Sequence, residues 1–211
     1  MTNKGSVTTI KTSLGGAIGN AIEWYDFAVF GFLAPVIANV LIHSGNHLSN
    51  LLYIYLIFAV GFISRPFGSF IFGYIGDKYG RNLTLKLTVW FMSIPTVLIG
   101  LMPSYSAIGI LSPILLVICR LVQGVAMGGE FTGSVIYLSE SAPAKRRSLF
   151  SSFAYISTTS GILIGSAVVT LNQHIWGYHN IVQWGWRLPF LAAIVLAIIA
   201  HYLRRKLVNL P

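Results

Sequence analysis

The chain has 211 residues, of which 55% are hydrophobic and only 9% charged, with a formal net charge of +9. Soluble domains carry roughly 25% charged residues, so too few charges remain here to cover a soluble surface, and the composition reads as a polytopic membrane protein. The basic residues form no contiguous stripe, which speaks against a nucleic-acid partner, and the single cysteine, Cys119, excludes an internal disulfide.

A membrane-crossing helix needs about 20 mostly apolar residues. Six such stretches follow one another, at roughly 14–42, 51–74, 83–102, 107–138, 149–171 and 187–203. The expected organisation is a cytoplasmic N-terminus over 1–13, a six-helix bundle over 14–203, and the start of a cytoplasmic loop over 204–211. Lys4 and Lys11 precede the first run, but Glu23 and Asp26 interrupt it. That pattern is not a cleavable signal.

The connectors alternate in charge. Lys4 and Lys11 mark the N-terminus, Lys78 and Arg81 the second connector, Lys145, Arg146 and Arg147 the fourth, and Arg204, Arg205 and Lys206 the tail. The first, third and fifth connectors, the last over 172–186, hold no Lys or Arg. Basic loops stay on the cytoplasmic side, so both termini are expected there. Glycines four apart (Gly15 and Gly19, Gly124 and Gly128, Gly129 and Gly133, Gly161 and Gly165) suit close helix contacts in lipid. Trp176, Trp184 and Trp186 are placed as an aromatic belt at the outer end of the sixth span.

Charges inside the spans carry the functional argument. A charge at mid-bilayer costs at least about 2.5–3.5 kcal/mol, so it faces the bundle interior and finds a partner. The candidates are Glu23 and Asp26 in the first span, Arg65 in the second, and Arg120 and Glu130 in the fourth. At 1.5 Å per residue, Asp26 and Arg120 each lie roughly 20 Å along their spans, near mid-depth. Arg65 and Glu130 both lie near the inner ends of theirs. Depth therefore suggests two pairs, Asp26–Arg120 and Arg65–Glu130, with Glu23 as a spare acid or a competitor for Arg120.

Two readings of these pairs stay open: static bridges between helices, or a proton-coupling device. A buried carboxyl favours the neutral acid, and a nearby guanidinium favours the carboxylate. A carboxyl that meets and leaves an arginine therefore binds and releases a proton. Arg120 also suits an anionic carboxylate through its planar fork. Trp24 and Tyr25 flank the buried acids, and an aromatic wall attracts a quaternary ammonium group. His43, His47, His174, His179 and His201 lie in connectors or near span ends without close Cys or acidic partners. No nucleophile–base constellation, phosphate loop or metal-ligand spacing is present, so neither an enzyme nor a bound cofactor or metal is expected.

Several motifs resemble a known family. Gly73, Tyr74, Ile75, Gly76, Asp77, Lys78, Tyr79, Gly80 and Arg81 look like the signature between helices two and three of the major facilitator superfamily. Gly19, Asn20, Glu23, Trp24, Tyr25, Asp26 and Phe27 resemble its metabolite:proton symporters, as do Arg65 with Pro66, Arg120 through Gln123 and Gly124, Gly128 to Glu130, and Trp184 to Phe190. Within that family the chain is most similar to proline/betaine symporters.

The resemblance implies an all-α inner-membrane protein, here the N-terminal half of a twelve-helix fold, built as two three-helix inverted repeats. It implies symport of a proton with a small polar solute such as proline or glycine betaine, or a di- or tricarboxylate such as 2-oxoglutarate or citrate, driven by the proton gradient. Asp26 and Arg120, with Glu23, take the proton-coupling positions. Trp24, Tyr25, Arg120 and Gln123 take the substrate cavity. Asp77, Arg81, Glu140 and Arg147 take the inner charge network, which with Arg65 and Glu130 forms the gate. The six-helix length suggests a truncated or split transporter, its partner a separately encoded half or a second copy. The alternative is an inert fragment or assembly partner in the lipid bilayer.

Overall fold

The structure is a computed structural model. It describes the backbone of residues 3–207 and their side chains apart from those of 3–17, 81, 82, 141, 201 and 203–207. In lipid, backbone N–H and C=O groups must be satisfied within the segment, which favours helices. The described residues accordingly form helices joined by short turns: α1 (Asn3–Leu41), α2 (His47–Ile63), α3 (Arg65–Tyr79), α4 (Arg81–Leu101), α5 (Tyr105–Ile108), α6 (Leu111–Ser141), α7 (Arg147–Asn180) and α8 (Arg187–Leu207). α2 and α3 make one 33-residue span, His47–Tyr79, interrupted only at Ser64. With α1, α4, α6 and α7 that makes five helices long and apolar enough to cross a membrane. Among the described residues, Arg187–Ala200 of α8 adds a shorter apolar stretch.

α1 is the central helix. The apolar window of its span is 67% buried, against 28% for the α2–α3 span and 22% for α7. Tyr25, Phe30, Leu33, Ile37 and Leu41 of α1 are buried in one cluster with Leu116 of α6, Val169 of α7, and Trp186 and Phe190 at the start of α8.

Glycine sets how closely the helices approach. A Cβ at Gly124 would collide with Ser64 Oγ and the Gly61 carbonyl, and one at Gly128 with the Arg65 carbonyl. α6 therefore lies backbone to backbone against the α2–α3 junction. Ser64 and Ser69 reinforce that seam, their hydroxyls donating to the Leu121 carbonyl at 3.1 Å and the Gly128 carbonyl at 2.8 Å. Gly161 and Gly165 of α7 do the same against Ala21, Tyr25 and Ala28 of α1. On α4, Gly100 sits where a Cβ would lie 3.0 Å from Phe190 Cβ of α8.

Several expected boundaries shift. The fifth connector is not a loop: α7 runs on to Asn180, turns at Gly177 (φ 69°, a conformation suited to glycine), and passes through a wide helical turn at Ile181–Gly185. The third connector contains α5. α1 extends back to Asn3, so residues 3–13 of the expected tail are helical, and α8 runs to Leu207. Trp186 is not part of an outer belt. It is fully buried beside Phe190 at 6.3 Å, while Trp176 and Trp184 stay partly exposed and pack edge to face at 4.7 Å.

Candidate functional site

Three helices bring polar side chains together at mid-bundle. Asp26 comes from α1, Thr96 from α4, and Arg120 and Gln123 from α6, one turn apart on the same face. All four are at most 2% exposed. Arg120 Nη1 donates to Asp26 Oδ2 at 2.8 Å. On the other oxygen, Oδ1, Gln123 Nε2 donates at 3.1 Å and the Thr96 hydroxyl lies at 2.9 Å. Gln123 Nε2 also donates to Thr96 Oγ1 at 2.8 Å. The guanidinium lies over the Phe30 ring, 3.7 Å from its centroid. A buried charge is tolerable only when paired and hydrogen-bonded, and Asp26 meets that condition. Arg120 does so only in part: its Nε and Nη2 have no protein partner, nor does Gln123 Oε1.

A second polar tier lies along the same three helices. Glu23, one turn before Asp26 on α1, places Oε1 3.7 Å from Arg65 Nη2 of α3. Glu130, seven residues beyond Gln123 on α6, accepts from the Thr88 hydroxyl of α4. The expected Arg65–Glu130 pair is thus replaced by Arg65–Glu23. The two residues match in depth, but α3 turns Arg65 toward α1. There its guanidinium lies 4.3 Å from the Phe62 centroid and 5.2 Å from that of Phe27.

The remaining expected site residues lie outside these two tiers. Trp24 packs against Phe27 at 6.0 Å and, with Phe58, Phe62 and Gly31, borders an open aromatic depression beside α1. Tyr25 is on the opposite side of α1. Its hydroxyl donates to the Pro189 carbonyl of α8 at 2.6 Å, so it ties helices together and does not line that depression. Asp77, Glu140 and Arg147 are exposed, and Asp77 borders a cleft between α3, α4 and α6. The side chain of Arg81 lies outside the described residues. Among the described residues no cluster of three His, Cys, Asp or Glu side chains is placed to hold a metal ion.

Thr96 and Thr88 were not among the expected site residues. The signal was present: Thr84, Thr88 and Thr96 recur at multiples of four along a mostly apolar α4, on one helical face.

The model of the family described as "Sugar (and other) transporter" matches residues 12–207. The chain belongs to this transporter family. Among its relatives, the proline/betaine transporter of Salmonella typhimurium is 41% identical over 201 residues, covering 95% of this chain and 40% of that protein. The glycine betaine/proline/ectoine/pipecolic acid transporter OusA of Dickeya dadantii is 40% identical over the same share of each chain. The alpha-ketoglutarate permease of Escherichia coli is 39% identical over 194 residues, covering 92% of this chain and 45% of that one. The chain therefore spans less than half the length of these relatives. Its fold is that of the major facilitator superfamily. The proton:xylose symporter XylE superposes with a TM-score of 0.84 at 20% identity, over 95% of this chain and 45% of that one, within its N-terminal half. XylE in a partially occluded inward-open conformation gives 0.82 over 96% and 50%. This transporter family places the protein in a membrane and makes it no enzyme.

Proposed function

We propose that this chain forms the N-terminal half of a proton-coupled symporter for a small polar metabolite or osmoprotectant, with proline or glycine betaine as the leading solutes and a di- or tricarboxylate as the alternative. One observation carries this reading: the buried Asp26–Arg120 pair, with part of the guanidinium uncommitted. Asp26 is the proton carrier. Arg120 holds its carboxylate form, and loss of that contact favours protonation. The free Nε and Nη2 of Arg120 are the donors for a solute carboxylate, which all the candidate solutes possess. The solute carboxylate and the Asp26 carboxylate thereby compete for one arginine, so that solute binding favours protonation of Asp26 and couples the two. The aromatic side chains of Trp24, Phe58 and Phe62 suit a quaternary ammonium group, which favours betaine-like solutes.

Related proteins are more than twice as long as the matched segment. Transporters of this kind bind solute between two repeats or halves, so the cycle requires a second six-helix unit from further sequence, a separate chain or a second copy. The expected setting is the bacterial inner membrane with both chain ends cytoplasmic, consistent with the loop charges. Asp77, Arg81, Glu140 and Arg147 are proposed to close the inner side. A second reading is an assembly subunit without transport of its own.

Proteoliposome uptake separates the readings. The chain is reconstituted alone and with a candidate second half, and offered proline, glycine betaine, 2-oxoglutarate and citrate with and without a pH gradient. Symport predicts gradient-driven uptake that Asp26→Asn abolishes while insertion is spared. Full uptake in that variant removes Asp26 from the coupling role. No uptake in any combination favours the assembly reading.

A further inference from the structure

An open pocket of about 580 Å³ lies at the end of the bundle away from Asp77 and Arg147. Asn39 and His43 line it from the end of α1 and the turn beyond, Ser104, Tyr105 and Ser106 from α5 and the residue before it, and Gln183 from the wide turn after α7. A volume of this order suits a small molecule. The pocket is separate from the Asp26–Arg120 pair. Asn39 stands thirteen residues beyond Asp26 on α1, roughly 20 Å along the helix.

The walls are polar and aromatic. The His43 and Tyr105 rings pack at 5.6 Å, and His43 and Asn39 are exposed. The Ser104 and Ser106 hydroxyls meet at 2.8 Å, a contact that uses one hydroxyl proton and leaves the other. Gln183 Nε2 meets His179 Nε2 at 2.9 Å. The connectors at this end, over 42–46, 102–110 and 172–186, contain no Asp, Glu, Lys or Arg. Arg187 borders the last of them. It donates to the Met102 carbonyl at 3.2 Å, with its guanidinium 5.0 Å from the Trp186 centroid. Apart from tyrosines, the titratable side chains of this end are His43, His47, His174 and His179, all exposed. Imidazole is the side chain that gains its charge between about pH 8 and pH 5. This end of the molecule therefore offers no carboxylate to a cation, and becomes more positive as the medium turns acid. Among the described residues no cluster of three His, Cys, Asp or Glu suits a metal ion.

We propose that this pocket is a second binding site, for the carboxylate of a small solute, with protonated His43 as the cation that receives it. The Asn39 amide and the remaining hydroxyl proton of the Ser104–Ser106 pair are further donors, and the Tyr105 ring covers the apolar part of the solute. Carboxylate and imidazolium favour each other, so binding tightens in acid. Use of the site in transport, as the place where solute gathers before it reaches Arg120, rests on the symport reading and orientation above; the binding does not.

NMR of the full chain in lipid nanodiscs, isotope-labelled at histidine Cε1, tests this, with His43→Gln identifying the His43 signal. Glycine betaine is expected to shift that signal and to move its titration toward higher pH. Choline, which keeps the trimethylammonium group and lacks the carboxylate, is expected to do neither. Saturation of the shift is expected at several-fold lower glycine betaine at about pH 5 than at about pH 8. The response is expected to persist in Arg120→Gln, or in Arg120→Lys where the first variant fails to fold. No shift at His43, an equal shift with choline, or an equal shift at His47 and His174 overturns the proposal. A response that vanishes in a folded Arg120 variant also overturns it, because the signal then reports the Arg120 site. A His43 response in a chain that gives no gradient-driven uptake in any combination sinks the symport reading alone.

Discussion

Arg120 of α6 and Asp26 of α1 meet at 2.8 Å with both side chains 1% exposed, although 94 positions separate them in the sequence. Breaking a buried pair from one side typically costs about 3–5 kcal/mol, because the other charge stays buried alone. Arg120→Gln alone, which leaves the Asp26 carboxylate buried and unpaired, is therefore expected to lower thermal stability in detergent more than Asp26→Asn with Arg120→Gln combined. The combined variant removes both charges. Unfolding free energies of Asp26→Asn, Arg120→Gln and the double give the coupling energy.

Thr96 and Gln123 place two neutral groups on the oxygen that Arg120 does not reach. Hydrogen bonds to charged groups contribute about 1.5–3 kcal/mol. Thr96→Val keeps the shape and removes the hydroxyl. The expected outcome is a stable protein with weakened gradient-driven uptake, since the hydroxyl shared between Asp26 and the Met92 carbonyl is lost. Unchanged uptake would assign Thr96 to packing.

Tyr25→Phe is a contrasting case. Its hydroxyl donates to the buried Pro189 carbonyl at 2.6 Å, away from the aromatic depression. The loss is expected to cost about 1–3 kcal/mol through the unsatisfied carbonyl. Stability falls, and solute selectivity across the four-solute panel does not change.

At the α6 seam, Gly128→Leu drives a side chain into the Arg65 carbonyl. Overpacking commonly costs about 1–3 kcal/mol, and backbone on the receiving side gives little room to relax. We expect a larger loss of unfolding midpoint than for Gly133→Leu, where a Cβ would meet Leu85 at an ordinary 3.6 Å.

Much of this was legible in the sequence because lipid simplifies the problem. Apolar length reports the spans, and charge depth reports height within the bundle. Height alone correctly brings Asp26 to Arg120. It fails for Arg65, because depth says nothing of which way a side chain points around its helix. The break at Ser64 and the glycine seam against α6 orient α3, and Arg65 turns to Glu23 and Phe62. Neither feature is visible from hydropathy. Trp186 was misplaced for a related reason. Tryptophan suits both an interface and a core, and only the turn at Ile181–Gly185 sends it inward.

The glycine contacts also divide the molecule mechanically. Gly161 and Gly165 interlock α7 with α1, and Gly124 and Gly128 interlock α6 with the α2–α3 span. A slip of one residue, about 1.5 Å, would bring a Cβ onto a notch with no space for it. Each couple therefore behaves as a keyed unit that resists sliding. In a fold of two three-helix repeats these are equivalent couples, the first span with the fifth and the fourth with the second. Asp26 and Arg120 stand on the opening helices of the two repeats, one on each side of the unkeyed boundary between the couples. The ion pair thus spans the joint along which the bundle has freedom to shear, and a displacement there changes its length before it disturbs either keyed seam.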